Sequence, residues 1–426
     1  MKINSFWRKD MTAAEARTGR GFLQVNVVNI ENNFPVQNAK ISVSRTDAPL
    51  RPLEQADTDR SGQTPEISLE APPVEYSLDP ESGIRPYAEY NLEITAPGFK
   101  TVRIDGTEIL ADSVAIQPVR MEPETDPAAV KPVVIPDHTL YGSYPPKIAE
   151  PEIQPVGESG EIVLSRVVVP QTIVVHDGVP TDTSASDYYV PYRDYIKNVA
   201  SSEIYSTWPD ATLRANILAI MSFALNRVYT EWYRGKGYDF TITSSTAYDQ
   251  KWSFGRTIFR NISRIVDEIF NNYLSRPNVQ QPILTQYCDG KNVTCSGWMT
   301  QWGSRYLGDQ GYSPIEILRY YYGSSIYINS AEEIAGIPSS WPGTDLTVGS
   351  SGTKVRQMQQ QLARISQAYP AIPTITADGV FGERTREAVE AFQRIFDLPV
   401  SGVVDFPTWY KISQIYVGVT RIAELN

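Results

Sequence analysis

The chain has 426 residues, which exceeds the size of one typical hydrophobic core and predicts roughly two to four domains. Its hydrophobic content of 41% and charged content of 20% are those of a folded globular protein rather than a disordered one. The net charge of −11 argues against nucleic acid or anionic lipid as the main partner, and no apolar run is long enough for a membrane helix. We therefore expect no nucleic-acid partner and no membrane partner.

Histidine and cysteine are scarce in this sequence. The histidines are His138 and His176, and the cysteines are Cys288 and Cys295. This scarcity argues against His-rich metal sites, Ser-His or Cys-His catalysis and a disulfide framework, so we expect no metal and no cofactor. Cys288 and Cys295 bracket a short polar loop, and the sequence is equally consistent with a disulfide and with two free thiols. We expect a structural role for His176.

The N-terminal third predicts a β-sandwich followed by a linker. Residues 1–20 form a pre-segment that lacks the apolar core and cleavage site of a secretory signal. Residues 21–122 contain short alternating strands separated by turn signals, which is typical of a sandwich. The YNLEITAPGF stretch at 90–99 resembles the carboxypeptidase regulatory-like sandwiches. Residues 123–170 are rich in proline and lack periodicity, which predicts an extended linker that is accessible to proteases.

Residues 171–342 are rich in aromatic residues and predict several helices. The first long helix begins near Asp210, a candidate N-cap, and carries an apolar stripe at helical spacing. The stripe consists of Leu213, Ile217, Ile220 and Ala224. A second long amphipathic helix is predicted over 254–274. A third is predicted between Ser313 as N-cap and Gly323 as the residue that ends it.

Residues 343–426 predict a bundle of three helices with two loops rich in Asp and Gly. The motif DGVFGERTREAVEAFQ at 378–393 is long and specific, and this segment resembles the peptidoglycan-binding domains. Most of its apolar residues, Val380 among them, are expected to pack the bundle, while Thr385 caps the second helix or holds its start. The resemblance places ligand contacts near the loops. The residues that it implies are Asp378, Gly379, Phe381, Thr385 and Gln393.

Two further segments resemble the SpoIID family of lytic transglycosylases. They are YIKNVASSEIYSTWPDATLRANILAIMSFAL at 195–225 and WMTQWGSRYLGDQGYSPIEILRYYYG at 298–323. The resemblance implies cleavage of the MurNAc–GlcNAc bond of peptidoglycan, with Glu203 as the catalytic acid. We expect its apolar neighbours to raise the pKa of Glu203, so that it is protonated near neutral pH. The competing interpretation is a surface acid or an ion-pair partner of Arg214.

The same resemblance implies a set of substrate contacts. These residues are Trp208, Tyr248, Asp249, Gln250, Trp302, Tyr320 and Tyr321. Some SpoIID-like proteins bind zinc at positions that correspond here to Ser244, Tyr248 and Asp249. Because none of these three residues is a cysteine or a histidine, we expect no zinc site of that kind. In the run of tyrosines at 320–322, helical geometry requires at least one ring to face the core.

The order of the segments resembles the clostridial spore cortex-lytic enzymes, and the predicted fold class is multidomain α+β. Its parts would be an N-terminal β-sandwich, a central, mainly helical SpoIID-like catalytic domain and a C-terminal three-helix peptidoglycan-binding domain. The resemblance implies a zymogen that a subtilisin-like germination protease cuts between Glu150 and Gln171, and an intact chain that is less active than one starting near Val168. It also implies spore cortex peptidoglycan as substrate. The location would be the cortex or the coat–cortex boundary, after synthesis in the mother cell. A hydrolytic muramidase and a non-catalytic wall-binding protein are the alternatives.

Overall fold

The computed structural model describes residues 18–124, 131–154, 164–331, 333–337 and 340–421, and the fold is mixed α+β. The strands are β1 (Gly19–Asn29), β2 (Lys40–Arg45), β3 (Pro52–Asp57), β4 (Ile67–Ala71), β5 (Tyr87–Thr95), β6 (Val102–Leu110), β7 (Val114–Met121), β8 (Val133–Val134), β9 (Val168–Val169), β10 (Thr172–His176), β11 (Asp187–Pro191), β12 (Ile242–Thr243), β13 (Ile258–Phe259), β14 (Asn272–Ser275), β15 (Tyr287–Cys288), β16 (Met299–Thr300), β17 (Tyr327–Ser330) and β18 (Glu333–Ile334). The helices are α1 (Glu75–Leu78), α2 (Tyr192–Glu203), α3 (Asp210–Tyr229), α4 (Arg260–Ile269), α5 (Gln301–Asp309), α6 (Pro314–Tyr322), α7 (Thr353–Ala368), α8 (Glu383–Ile395) and α9 (Phe406–Thr420).

Two sheets form the N-terminal sandwich. The first has the order β13-β7-β1-β4, with β1 parallel to β7, and the second has the order β3-β2-β5-β6-β8. In β1 the alternate residues Leu23, Val25 and Val27 are buried, because successive side chains of a strand point to opposite faces. Apart from β8 and β13, the strands of these sheets lie in the range for which the sequence predicts a sandwich. The first strand begins at Gly19, inside the predicted pre-segment, whose first 17 residues lie outside the described part of the chain.

The prediction of one long helix over 254–274 is wrong. The helix in this region is the shorter α4, between β13 and β14. β13 pairs with β7 of the sandwich, and β14 pairs with β17. The β-branched and aromatic residues at both ends of the segment therefore join sheets, because their neighbours in space outweigh their helical periodicity.

The predicted linker packs against the rest of the chain at several points within residues 131–154, although many of its residues stay exposed. Within 131–154, His138, Leu140 and Gln154 are buried, and β8 adds to the edge of the sandwich beside β6. The segment has no periodicity because it packs through single side chains and backbone groups rather than through a repeating face. Residues 155–163, which fall in the predicted cleavage region, lie outside the described residues.

Helix α3 is the centre of the helical part. It is buried on nearly all sides, including the predicted stripe, because α2, α4, α5 and α6 surround it. Asp210 is its first residue rather than its N-cap; the N-cap is Pro209, and the Asp210 carboxylate pairs with Arg214 at 2.6 Å. None of the helices in the described ranges combines the length and apolarity needed to cross a bilayer.

Helix α6 starts and ends where the sequence predicts. Ser313 and Glu316 form a capping box, Pro314 is the first helical residue, and Gly323 follows the helix with a positive φ of 87°. That backbone conformation favours glycine because it has no Cβ. Nearby, Cys288 and Cys295 form a disulfide, which decides between the two states that the sequence left open.

Helices α7, α8 and α9 form the C-terminal bundle. Phe381 and Phe392 are buried in it, but Val380 is 53% exposed, so the expectation that it packs the bundle is wrong. Gly382 is the N-cap of α8, and Thr385 holds the start of this helix by accepting a hydrogen bond from Gln359 at 3.1 Å. The bundle packs on the helical part through α9 and α4.

An acidic residue of α4 organises that contact. Asp267 is buried and pairs with three cations, Arg193 and Lys197 of α2 and Lys411 of α9. Burial alone would raise the pKa of Asp267, but Lys197, Lys411 and Arg193 hold it well below its usual value. Asp267 therefore stays ionised and ties α9 to α2 and α4.

Candidate active site

Glu203 is the last residue of α2, and its side chain is only 3% exposed. Its Oε2 accepts a hydrogen bond from the hydroxyl of Tyr287 at 2.5 Å, and its Oε1 accepts one from the backbone N–H of Lys251 at 2.7 Å. Arg214 pairs instead with Asp210 and Glu268. The competing interpretation of Glu203 as a surface acid or a partner of Arg214 is therefore wrong.

A buried hydrogen-bond chain supports Tyr287. The hydroxyl of Tyr195 donates to Oε1 of Gln250 at 3.1 Å, and Nε2 of Gln250 donates to the hydroxyl of Tyr287 at 3.1 Å. The same Nε2 also donates to the backbone carbonyl of Ile220. Because Gln250 occupies an acceptor site of the Tyr287 oxygen, the Tyr287 proton is directed at Glu203. The chain therefore fixes the orientation of the carboxylate.

Burial dominates the electrostatics of Glu203. Removal from water raises the pKa of Glu203, while the charge of Lys147 and the hydrogen bonds from Lys251 and Tyr287 oppose that effect without cancelling it. The hydroxyl of Tyr287 stays protonated, because burial and the adjacent carboxylate raise its pKa well above the usual value. Glu203 can thus hold a proton at a higher pH than an ordinary glutamate can.

Lys147, from the proline-rich segment, is a member of this site that sequence reasoning missed. Its ammonium group donates to the backbone carbonyl of Asp249 and lies 4.9 Å from the ring centre of Phe223 and 5.3 Å from that of Tyr287. Burial lowers the pKa of Lys147, and the carboxylates of Glu203 and Asp249 act against that. A single lysine among prolines gives no signal in the sequence, because only the fold brings it to Glu203.

Asp249 is fully buried and serves a neighbouring network. Its carboxylate pairs with Nε of Arg227 at 2.7 Å and accepts hydrogen bonds from Tyr233 at 2.6 Å and from Thr243. The backbone carbonyl of Tyr248 accepts from Arg227 at 3.1 Å. Every Asp249 oxygen is thus engaged by protein groups, and the residue holds the 248–251 loop whose backbone contacts Glu203.

The predicted aromatic contacts fall into two places. The rings of Trp208 and Trp302 lie 5.1 Å apart, and Nε1 of Trp208 donates to the backbone carbonyl of Ser77 in the sandwich at 2.9 Å. Tyr320 is 66% exposed, and the hydroxyl of Tyr321 shares a hydrogen bond with Thr300. The third tyrosine of that run is the buried one. The sandwich therefore covers Trp208, while Tyr320 and Tyr321 belong to the surface of α6.

The remaining polar candidates have structural partners. His176 pairs with Asp187 at 2.7 Å and stacks on Phe240, which is the structural role expected for it. Ser244, at a position where some SpoIID-like proteins bind zinc, is buried, and its backbone N–H donates to the carbonyl of His176 at 2.9 Å. In the described ranges, no three His, Cys, Asp or Glu side chains are grouped so that they could hold a metal ion.

In the C-terminal bundle, the predicted contact residues differ in exposure. Asp378 is exposed, and its Oδ1 accepts from the backbone N–H of Val380 and from Gln359. Gly379 has a φ of 85°, the left-handed conformation that such a turn requires. Phe381, Thr385 and Gln393 are buried. Gln393 holds the 401–403 loop through hydrogen bonds to its backbone. These three buried side chains support the loops from the interior of the bundle.

Comparisons with known proteins agree with a wall-binding C-terminus. Residues 351–412 match the peptidoglycan-binding domain family, PG_binding_1. A stretch of 77 residues is 39% identical to a zinc D-Ala-D-Ala carboxypeptidase from Streptomyces albus G, which amounts to 18% of this chain and 28% of that protein. The C-terminal bundle is therefore a peptidoglycan-binding domain, and the chain is a cell-wall-related protein.

Solved structures resemble only about a quarter of the chain. The minor pilin GBS52 of Streptococcus agalactiae is 12% identical with a TM-score of 0.19, over 27% of this chain and 49% of the pilin. The 5-hydroxyisourate hydrolase of Klebsiella pneumoniae is 15% identical with a TM-score of 0.16, over 24% of this chain and 91% of the hydrolase. Similarity at this level carries no argument about what the chain does.

Proposed function

We propose that this chain is the zymogen of a spore cortex-lytic enzyme like SleC, a lytic transglycosylase that cleaves the MurNAc–GlcNAc bond of peptidoglycan. The observation that carries the proposal is Glu203. It is a buried carboxyl group with a raised pKa, each of its oxygens accepts one hydrogen bond, and it lies where the SpoIID-like motif has its glutamate. A buried carboxyl group that titrates late is suited to donate a proton to a leaving group.

One carboxyl group can carry both proton transfers of the reaction. Protonated Glu203 gives its proton to the glycosidic oxygen as the bond from C1 to that oxygen breaks. The resulting carboxylate accepts the proton of the muramic 6-hydroxyl, whose oxygen forms the new bond to C1. The product is a 1,6-anhydro sugar, and no water is consumed. Tyr287 and the N–H of Lys251 would stabilise the carboxylate between the two steps, because they donate to its oxygens.

The rest of the proposal follows from the arrangement of the chain. The peptidoglycan-binding domain would hold the enzyme on the spore cortex, and the location would be the cortex or its boundary with the coat. The N-terminal region would be removed by a subtilisin-like germination protease. Support for this step comes from the sandwich, which covers Trp208, and from the low exposure of Glu203, since a glycan strand needs access to both.

The test is mass spectrometry of the soluble fragments released from decoated spore cortex. The full-length chain is cut with a subtilisin-like protease and compared with its Glu203→Gln variant, treated in the same way. We expect 1,6-anhydro-muramic products from the first and none from the second. Products that carry an added water would identify a muramidase instead. Tight binding to cortex without release by either protein would identify a non-catalytic wall-binding protein.

A further inference from the structure

The segment of residues 144–154, here called the covering segment, lies along the helical part beside Glu203. The backbone of Ile148 donates to the carbonyl of Ala247 at 2.7 Å and accepts from the side chain of Gln286 at 2.7 Å. The same Gln286 side chain accepts from the backbone N–H of Glu150 at 2.9 Å. The side-chain amide of Gln286 therefore holds the backbone of the covering segment at Ile148 and at Glu150. Gln286 directly precedes Tyr287 in the sequence.

Two ion pairs anchor the covering segment further along. Glu150 pairs with Arg227 at 2.6 Å, and Glu152 pairs with Arg276 at 2.7 Å. The side chain of Arg227 is fully buried, so its pairing with Glu150 is shielded from solvent and little weakened by salt. These contacts fix the position of the segment on the helical part independently of Lys147.

The anchored segment places one charged group at the candidate acid. The ammonium of Lys147 contacts the ring of Tyr287, and the hydroxyl of the same ring donates to Glu203. The charge of Lys147 acts on Glu203 through space, while its ammonium donates to the carbonyl of Asp249. The segment therefore lies next to the acid that a glycan strand has to approach in the proposed reaction.

We propose that the covering segment blocks the approach of a glycan strand to Glu203, with Lys147 next to the acid. This inference rests on the proposed function and adds to it the way in which the site is kept closed. A cut that follows the segment, within the predicted range from Glu150 to Gln171, breaks only the covalent connection. The ion pairs of Glu150 and Glu152 and the contacts of Lys147 remain, so the segment must also dissociate before a glycan strand can enter.

The test uses the full-length chain with Lys147→Glu, cut with the subtilisin-like protease because the sandwich that covers Trp208 also has to leave. The substitution places a second negative charge near Glu203 and so expels the segment. The matched control is Lys131→Glu, the same charge change at an exposed position of the same proline-rich region. A second variant, Glu152→Gln, weakens the anchor at Arg276 and leaves the acid untouched. Two quantities are measured: hydrogen–deuterium exchange of the peptides that contain 144–154 and 199–204, and release of soluble fragments from decoated cortex.

We expect Lys147→Glu and Glu152→Gln to increase exchange in both peptides. Fragment release should rise by at least about tenfold for Lys147→Glu, because activity scales with the uncovered fraction. Lys131→Glu should match the wild type in both measurements. Release by the cut wild type equal to that by cut Lys147→Glu, or unchanged exchange in both variants, would overturn this role of the segment. Faster exchange without release would support the blocking role and overturn the glycan-cleaving function.

Discussion

One buried ion pair at the contact between the sandwich and the helical part joins Glu108 of β6 to Arg256, 2.7 Å apart. Both side chains are 1% exposed. Arg256 also donates to the backbone carbonyls of Pro136 and Ser201, so it joins the sandwich, the proline-rich segment and α2. Burial raises the pKa of Glu108 to about 7, although the charge of Arg256 and its hydrogen bond oppose the shift. Replacing Glu108 by glutamine tests whether this pair stabilises the contact.

The direction of the effect follows from proton linkage. Glu108 ionises near 4.5 in the unfolded chain and near about 7 in the folded protein. A group with a raised folded pKa contributes stability that is fully present below the unfolded pKa and is lost as pH rises through the folded value. The shift from 4.5 to about 7 corresponds to about 3 kcal/mol. The amide of Glu108→Gln is neutral at every pH and mimics the protonated acid.

We therefore expect Glu108→Gln to match the wild type near pH 4.5 and to exceed its free energy of unfolding by about 2–3 kcal/mol near pH 8. The assay is urea unfolding of the full-length chain across this range, followed by tryptophan fluorescence. Trp208 reports on the same interface through its hydrogen bond to Ser77. The control is Glu93→Gln, which alters an exposed pair on the same sheet and should change little at any pH.

The opposite sign near pH 8 would refute this reasoning. Glu108→Gln leaves the buried charge of Arg256 without its carboxylate partner. The opposite sign arises if the attraction between Glu108 and Arg256 exceeds the free energy cost of burying the two charges. The variant would then lose about 3–5 kcal/mol near pH 8. A difference between variant and wild type that does not depend on pH would contradict the raised pKa of Glu108 itself.

Three further changes test the site and its frame. Tyr287→Phe removes a hydrogen bond that favours the ionised form of Glu203, so the pKa of Glu203 should rise. The alkaline limb of the pH profile for cortex cleavage by the protease-cut chain should then move up by about one pH unit. An unchanged limb would contradict Glu203 as the catalytic acid. Asp267→Asn leaves three buried cations without their carboxylate, so the free energy of unfolding in urea should fall by about 3–5 kcal/mol, and a loss below about 1 kcal/mol would contradict that role. Replacing Cys288 and Cys295 by serine opens a short loop and should lower the free energy of unfolding by about 2 kcal/mol. The measurement is thermal unfolding of the oxidised wild type and of the variant. Equal stabilities would show that the other contacts of the loop hold it.

Local signals in the sequence were sufficient where the structure is decided locally. The start of α6 follows from Ser313, Pro314 and Glu316 within one turn, and its end follows from Gly323. The loop at Asp378 and Gly379 follows from the turn chemistry of its own residues. In each case, residues within a few positions supply the hydrogen bonds or the backbone freedom that the conformation needs.

Signals failed where distant segments compete for the same residues. The periodicity over 254–274 suits a helix, but the edge of β7 takes Ile258 and Phe259 and the strand β17 takes Asn272–Ser275. Neither partner is visible within the segment. The stretch 131–154 failed in the same way, because it carries no pattern of its own and is ordered by arginines and glutamines that lie far along the chain.

The sequence by itself determined the acidic character of the chain, the three helices of the peptidoglycan-binding domain and Glu203 as the candidate acid. The residues of a motif or a helix cap lie close together in the chain, so such features can be recognised directly in the sequence. Only the tertiary structure decided what surrounds Glu203. Tyr287 is 84 positions away from Glu203 along the chain, and the acid is also reached by Lys147 of the proline-rich segment. The pKa of a buried carboxyl group depends on which donors and charges reach it through space, and the order of the residues does not encode those distances directly.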